Sequence, residues 1–456
     1  MSKKGIVLSV FLFLSVFCLS KQANAGPAID FGDNGGYLQI DVKFQGILDH
    51  TDFGAGTDNN KSRNDLYLRR ARLVFTGMFN DTWGAKFQTC GGTSATRNLG
   101  GGGYELAKSN TKANSQIRLV DGYLIGMLSD QFNLKVGLTK IPLTRANLDE
   151  CFSPLSTERS AFVYSPFGTD ATKNSRDMGI VVHGNFFENQ MKYWLAVMEG
   201  REGSTSYENT FVDKTFKSSA APRSYLEYVG RVHWSFLKPE TGPSGSGYMG
   251  TYLGRKGKIL TIGAAAAYQP EAAYKYTKAD PNNPLDAVVL NKNDTVDYKA
   301  YTTDIFFEYP FDNGGVVTAT ALYLHADLDD AYKTALAPAD QATIVAGLLG
   351  QKEGWYTKLG YILPVTVGPK GKLQPFGRYE HWNMASIFNV KNQHIDQFGV
   401  GANYFVMGND SVRFSLEYQR TDFDKKTMIG DYMDMSKNHK LYDGYDVYTA
   451  MFMVVF

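Results

Sequence analysis

A transmembrane antiparallel β-barrel of about sixteen strands is the fold this sequence predicts, and three features predict it. An export signal opens the chain, segments of roughly ten residues alternate polar with apolar side chains, and short and long connections take turns between them.

Lys3 and Lys4 precede an apolar run from Ile6 to Leu19, and Ala23-Asn24-Ala25 stands before Gly26-Pro27. That order of basic, apolar and small residues predicts cleavage after Ala25. The apolar run is too short to persist as a spanning helix. Phe17 stands where lipid attachment at Cys18 needs a small residue. Residues 1–25 are therefore read as a cleaved signal peptide, 26–36 as a short periplasmic segment and 37–456 as the barrel. No later stretch is apolar over the roughly 18 residues that a spanning helix requires, which excludes an inner-membrane helical protein.

Charge narrows the partners. The chain holds 47 basic and 46 acidic residues, and losing Lys3, Lys4 and Lys21 turns the balance slightly acidic, so nothing points to nucleic acid. Cys90 and Cys151 are the cysteines beyond the signal; they can pair or stay free. No pattern around them calls for a metal or a cofactor.

The alternation is plain in three segments. Leu38, Ile40, Val42 and Phe44 share one face against Gln39, Asp41, Lys43 and Gln45. Val232, Trp234 and Phe236 oppose Arg231, His233 and Ser235, and Val412, Phe414, Leu416 and Tyr418 oppose Arg413, Ser415, Glu417 and Gln419. One face suits lipid and the other water. A soluble antiparallel sheet has the same period, so connection lengths must separate the two.

Strands are expected near 37–47, 66–79, 82–89, 117–127, 132–139, 177–184, 190–199, 225–236, 259–268, 298–309, 315–325, 354–363, 373–382, 396–406, 412–422 and 445–456. Short turns fall at 80–81, 129–130, 185–189, 312–314 and 408–410, built from residues that tolerate tight backbones. Long polar segments fall at 90–116, 140–176, 200–224, 269–297, 326–353 and 423–444. Segment 237–258 breaks the order, being long where a short turn is due. It is either a register error or a periplasmic excursion. Tyr448, Ala450, Phe452, Val454 and Phe456 alternate to the last residue, a terminal aromatic strand of the kind that outer-membrane assembly reads. No internal repeat suggests a propeller or a solenoid.

Several motifs follow in a fixed order. Residues 68–77, Leu-Arg-Arg-Ala-Arg-Leu-Val-Phe-Thr-Gly, close on Asn80-Asp81-Thr82-Trp83; then come 136–142 with Lys140 and Pro142, Glu158-Arg159-Ser160, Arg176-Asp177-Met178-Gly179, and Gln374-Pro375-Phe376-Gly377-Arg378-Tyr379-Glu380. Together they resemble the phosphate-selective porin O and P family, over about 36–456. The resemblance implies a sixteen-stranded barrel in the outer membrane of a Gram-negative bacterium, commonly a homotrimer, with the third long loop folded into the lumen and basic residues guiding anions. Its partners are then outer-membrane lipid and small anionic or neutral solutes. The arginine ladder of phosphate-specific members has no residue-by-residue match here.

A channel breaks no bonds, so its working parts are side chains that set width and field. Basic positions on the lumen face are Lys43, Arg70, Arg72, Lys86, Arg118, Lys135, Arg231, Arg378 and Arg413; the third loop adds Arg145, Glu158, Arg159, Lys173 and Arg176. Convergent cations in a low-dielectric neck favour anions. Each arginine has a second reading as a brace paired with Asp41, Asp121, Glu227, Asp304, Glu380 or Glu417. Glu158-Arg159 fits a lock between loop and wall. Seven histidines occur, but none is framed by a nucleophile pattern, so an enzyme is not expected. The remaining alternative is a barrel sheathing a multihaem cytochrome or another conduit partner, which needs a wide bore.

Overall fold

The computed structural model describes residues 26–31, 35–55, 61–92, 117–148, 152, 154–160, 163, 176–200, 223, 225–240, 248–278, 288–328, 352–387, 390–428 and 441–456. The expected signal peptide, Cys151 and Lys173 lie outside them. In chain order the strands are β1 (Ala28–Asp30), β2 (Tyr37–Ala55), β3 (Lys61–Met78), β4 (Trp83–Cys90), β5 (Arg118–Met127) and β6 (Asn133–Lys140). A single-turn helix α1 (Arg145–Leu148) follows, then β7 (Arg176–Phe186), β8 (Met191–Met198), β9 (Glu227–Ser235), β10 (Ile259–Lys278), β11 (Val288–Pro310) and β12 (Val316–Asp327). The last are β13 (Lys352–Ile362), β14 (Thr366–Val367), β15 (Gly371–Ile387), β16 (Val390–Phe405), β17 (Val412–Met428) and β18 (Leu441–Val455).

Leaving aside the short β1 and β14, sixteen of these strands form one antiparallel ring, each paired with its sequence neighbour. The ring closes where β18 meets β2, from Val447 opposite Thr51 to Val455 opposite Lys43. Every expected strand has its counterpart. β9 and β10 pair directly, from Tyr228 opposite Tyr268 to Ser235 opposite Thr261, so 236–258 is a true long connection and no register error is involved.

The predicted faces hold. Leu416 is 65% exposed, whereas its neighbours Ser415 and Glu417 are buried, and Trp234 is exposed beside buried His233 and Ser235. In a closed barrel the apolar exposed face meets lipid and the polar buried face turns inward. Several strands outrun their expected ends on the long-connection side: β10 and β11 continue to Lys278 opposite Val288. Past the lipid both faces meet water, so the ladder persists while the polar and apolar alternation fades.

Strand stagger leaves the first residues of β2 without β18 as a neighbour. β1 covers part of that edge, with Ala28 opposite Gln39 and Asp30 opposite Tyr37. Phe456 covers the rest, exchanging backbone hydrogen bonds of 2.5 and 2.9 Å with Val42. An uncovered edge would leave unpaired amides where lipid offers no partner.

Leu416→Arg should destabilise the barrel by roughly 2–4 kcal/mol, the range for a cation on the lipid face near mid-bilayer. Denaturant unfolding in lipid vesicles measures it; a change below roughly 0.5 kcal/mol would contradict the assigned face.

Candidate functional site

The inward side chains fall into three groups. The first gathers around the described part of the connection between β6 and β7. Glu158 pairs with Arg69 at 2.6 Å and with Arg70 at 2.8 Å. Burial raises the pKa of this carboxyl, but the two guanidinium groups outweigh it and hold the group well below the usual carboxylate range. Thr157 donates to Glu417, Ser160 to Glu380, and Asn403 to the Leu155 carbonyl at 2.7 Å. Arg413 donates to the Pro154 carbonyl at 2.8 Å, Lys358 to Ser156 at 2.8 Å, and Arg159 back to the Ala146 carbonyl at 2.7 Å. Residues 154–160 thus bond to inward side chains of β3, β13, β15, β16 and β17.

Arg69 was not among the expected lumen residues, because the two-residue period puts it opposite Arg70. The β3 ladder explains its position: Arg70 faces Gln45 and Leu68 faces Gly46, so Arg69 is the extra residue of a β-bulge. A bulge resets the alternation, and both arginines reach Glu158.

The second group surrounds the connection between β9 and β10. Arg145, on α1, makes a bidentate pair with Glu240, and both side chains are almost fully buried. Its guanidinium lies 4.3 Å from the Tyr248 ring centroid and 4.2 Å from that of Phe306. Tyr252 donates to Glu240 at 3.0 Å; burial and that carboxylate both raise its pKa, which keeps the phenol a donor. Glu308 accepts from Thr251 and from the amides of Tyr252 and Gly254 at 2.8–2.9 Å. Arg255 reaches Asp410, in the turn before β17, at 2.8 Å. A connection from the short-turn rim therefore meets one from the long-loop rim.

Ion pairs between strands brace the wall itself. Arg231 pairs with Asp304 at 2.8 Å and Arg378 with Glu417 at 2.8 Å. Glycine makes room for each. A Cβ on Gly263 would lie 2.6 Å from the Arg231 guanidinium, and one on Gly399 would lie 2.8 Å from Glu417.

The third group lines a cavity of about 160 Å³. Arg72, Lys86, Lys135, Lys140 and Arg176 face it with a single carboxylate, Asp121, which is held by Arg176 at 3.1 Å. Lys86 and Lys135 form no ion pair with a described residue; Lys135 sits 5.5 Å from the Tyr123 ring. Four of the expected cations thus converge, with Lys140 added from the motif before Pro142. Lys43 and Arg72 both lie over the Phe152 ring, at 5.9 and 5.4 Å. Arg118 is exposed at the start of β5. Cys90 is half-buried at the end of β4 and forms no disulfide with a described residue.

Residues 40–254 and 350–443 match the sequence profile of the family described as phosphate-selective porin O and P. An uncharacterized protein of Aquifex aeolicus is 24% identical over 383 residues, 82% of this chain and 80% of that one. Among solved structures, an anion-selective porin from Comamonas acidovorans shares the fold, with a TM-score of 0.50 at 11% identity over 92% of this chain and 100% of that one. The outer membrane channel DcaP of Acinetobacter baumannii gives a TM-score of 0.47 at 13% identity, covering 95% of this chain and 100% of that chain.

Glu240→Ala strands a buried guanidinium and should cost about 3–5 kcal/mol, whereas Arg145→Leu with Glu240→Ala should recover most of it. Unfolding of the single and double variants measures the coupling; equal losses in both would show that the charge pair is not what matters.

Proposed function

The chain belongs to the phosphate-selective porin O and P family of outer-membrane channels, and from that premise we propose that it passes small hydrophilic solutes by passive diffusion, with a preference for anions. The observation that carries the preference is the cavity where five cationic side chains face one carboxylate. Like charges so close raise the local concentration of anions, and low-dielectric walls strengthen the field. Arg72 adds a planar fork suited to phosphate or another oxyanion. In this reading the described part of the 141–175 connection is the constriction. Its bonds to five strands support that role, as does Glu158, which ties it to Arg69 and Arg70.

The same bonds speak against a barrel sheathing a cytochrome, which needs a clear bore. A homotrimer, which the family implies, belongs to the reading as well; chemical cross-linking of detergent-purified protein that stops at the monomer would remove it.

Reversal potentials across planar bilayers in a potassium chloride gradient test the preference. Chloride should carry most of the current. Lys86→Glu combined with Lys135→Glu should shift the reversal potential toward that of potassium, since two of the five cavity cations become carboxylates. A wild-type channel that prefers potassium would discard the proposal.

A further inference from the structure

Part of the cavity lining is unsuited to a bare inorganic anion. Beside the cations stand Tyr123, Trp194, Tyr248, Leu148, Val181 and Met249. The Trp194 and Tyr248 rings lie 5.9 Å apart and form an aromatic corner. Phosphate gains from hydrogen-bond donors on every side, and an apolar wall strips its water without replacing it. A solute with a charged head and an apolar body satisfies both kinds of lining. Size narrows the class further. The space of about 160 Å³ is close to the ~150 Å³ cavity that accommodates a single benzene ring in an engineered apolar core. A drug-sized molecule needs roughly 300 Å³ or more.

We propose that this cavity is a binding station for a monocyclic aromatic carboxylate, with the ring against Trp194 and Tyr248 and the carboxylate held by Lys86 and Lys135. The inference rests on the anion-channel reading and names the solute class of the same site. Bound there, the solute exchanges its hydration shell for lysine ammonium groups at one end and for ring contacts at the other. The two lysines supply charge without a fixed geometry, so a single carboxylate suffices.

Block of the chloride current in planar bilayers, with the full-length channel and with benzoate, acetate and inorganic phosphate as probes, tests it. Benzoate should half-block the current at a concentration roughly tenfold below that of acetate or phosphate, as burial of a ring's apolar surface implies. Trp194→Leu should narrow the gap between benzoate and acetate to less than roughly threefold, as loss of the aromatic contact implies. Met249→Asn, which replaces another apolar residue of the lining by a neutral polar one, should do the same and serves if the tryptophan variant does not assemble. Benzoate that blocks no better than acetate or phosphate in a chloride-selective channel overturns the ring site and leaves the channel reading standing. A potassium-selective channel overturns the reading beneath it.

Discussion

Every backbone amide and carbonyl at membrane depth must find its partner inside the protein, because lipid offers none. That constraint makes the seam between β18 and β2 the condition for everything else. Once Val447 to Val455 pair with Thr51 to Lys43, the sheet has no free edge within the ring, and one face is committed to lipid along its whole circumference. The small pieces at the rim serve the same end. β1 and the last residue cover the stretch of β2 that strand stagger would leave bare.

Closing the wall turns charged side chains inward, and the interior must then settle them. It does so unevenly. Arg231 and Arg378 are each matched by a carboxylate on the next strand but one, across a glycine of the strand between, and Arg145 by Glu240 from a separate connection. These are braces, each with its partner in reach and little field to spare. Around Asp121 the balance differs, since one carboxylate stands among five cations. The excess of positive charge is therefore a local property. A nearly neutral chain conceals it.

Much of the architecture is legible in the sequence because a lipid-facing strand must alternate. Leu416 between Ser415 and Glu417 shows the pattern, and β12 and β13 repeat it from end to end. Legibility ends where that pressure ends. The outer parts of β10 and β11 have water on both faces, so their pairing leaves no trace in the polarity pattern. The wall cations and the carboxylates Asp121, Asp304 and Glu417 were legible from the alternation, but not which of them meet, nor the partners that come from distant connections. Glu158 lies 88 residues from Arg70, and Glu240 lies 95 residues from Arg145. No local signal marks such a pair. Arg69 escaped for a different reason, because a period of two cannot announce its own interruption.

That interruption makes β3 a strand of two halves with opposite parity. Below Arg69 the inward positions are Arg70, Arg72 and Val74; above it they are Asp65 and Tyr67. Were Arg69 instead to take a place of its own in an unbroken ladder, the outer half would slip by one residue and turn its two faces over. Asp65 would then point into hydrocarbon or headgroups, and Leu66 into the wet interior. A defect in the hydrogen-bonding pattern is here what keeps the chemistry of both surfaces correct.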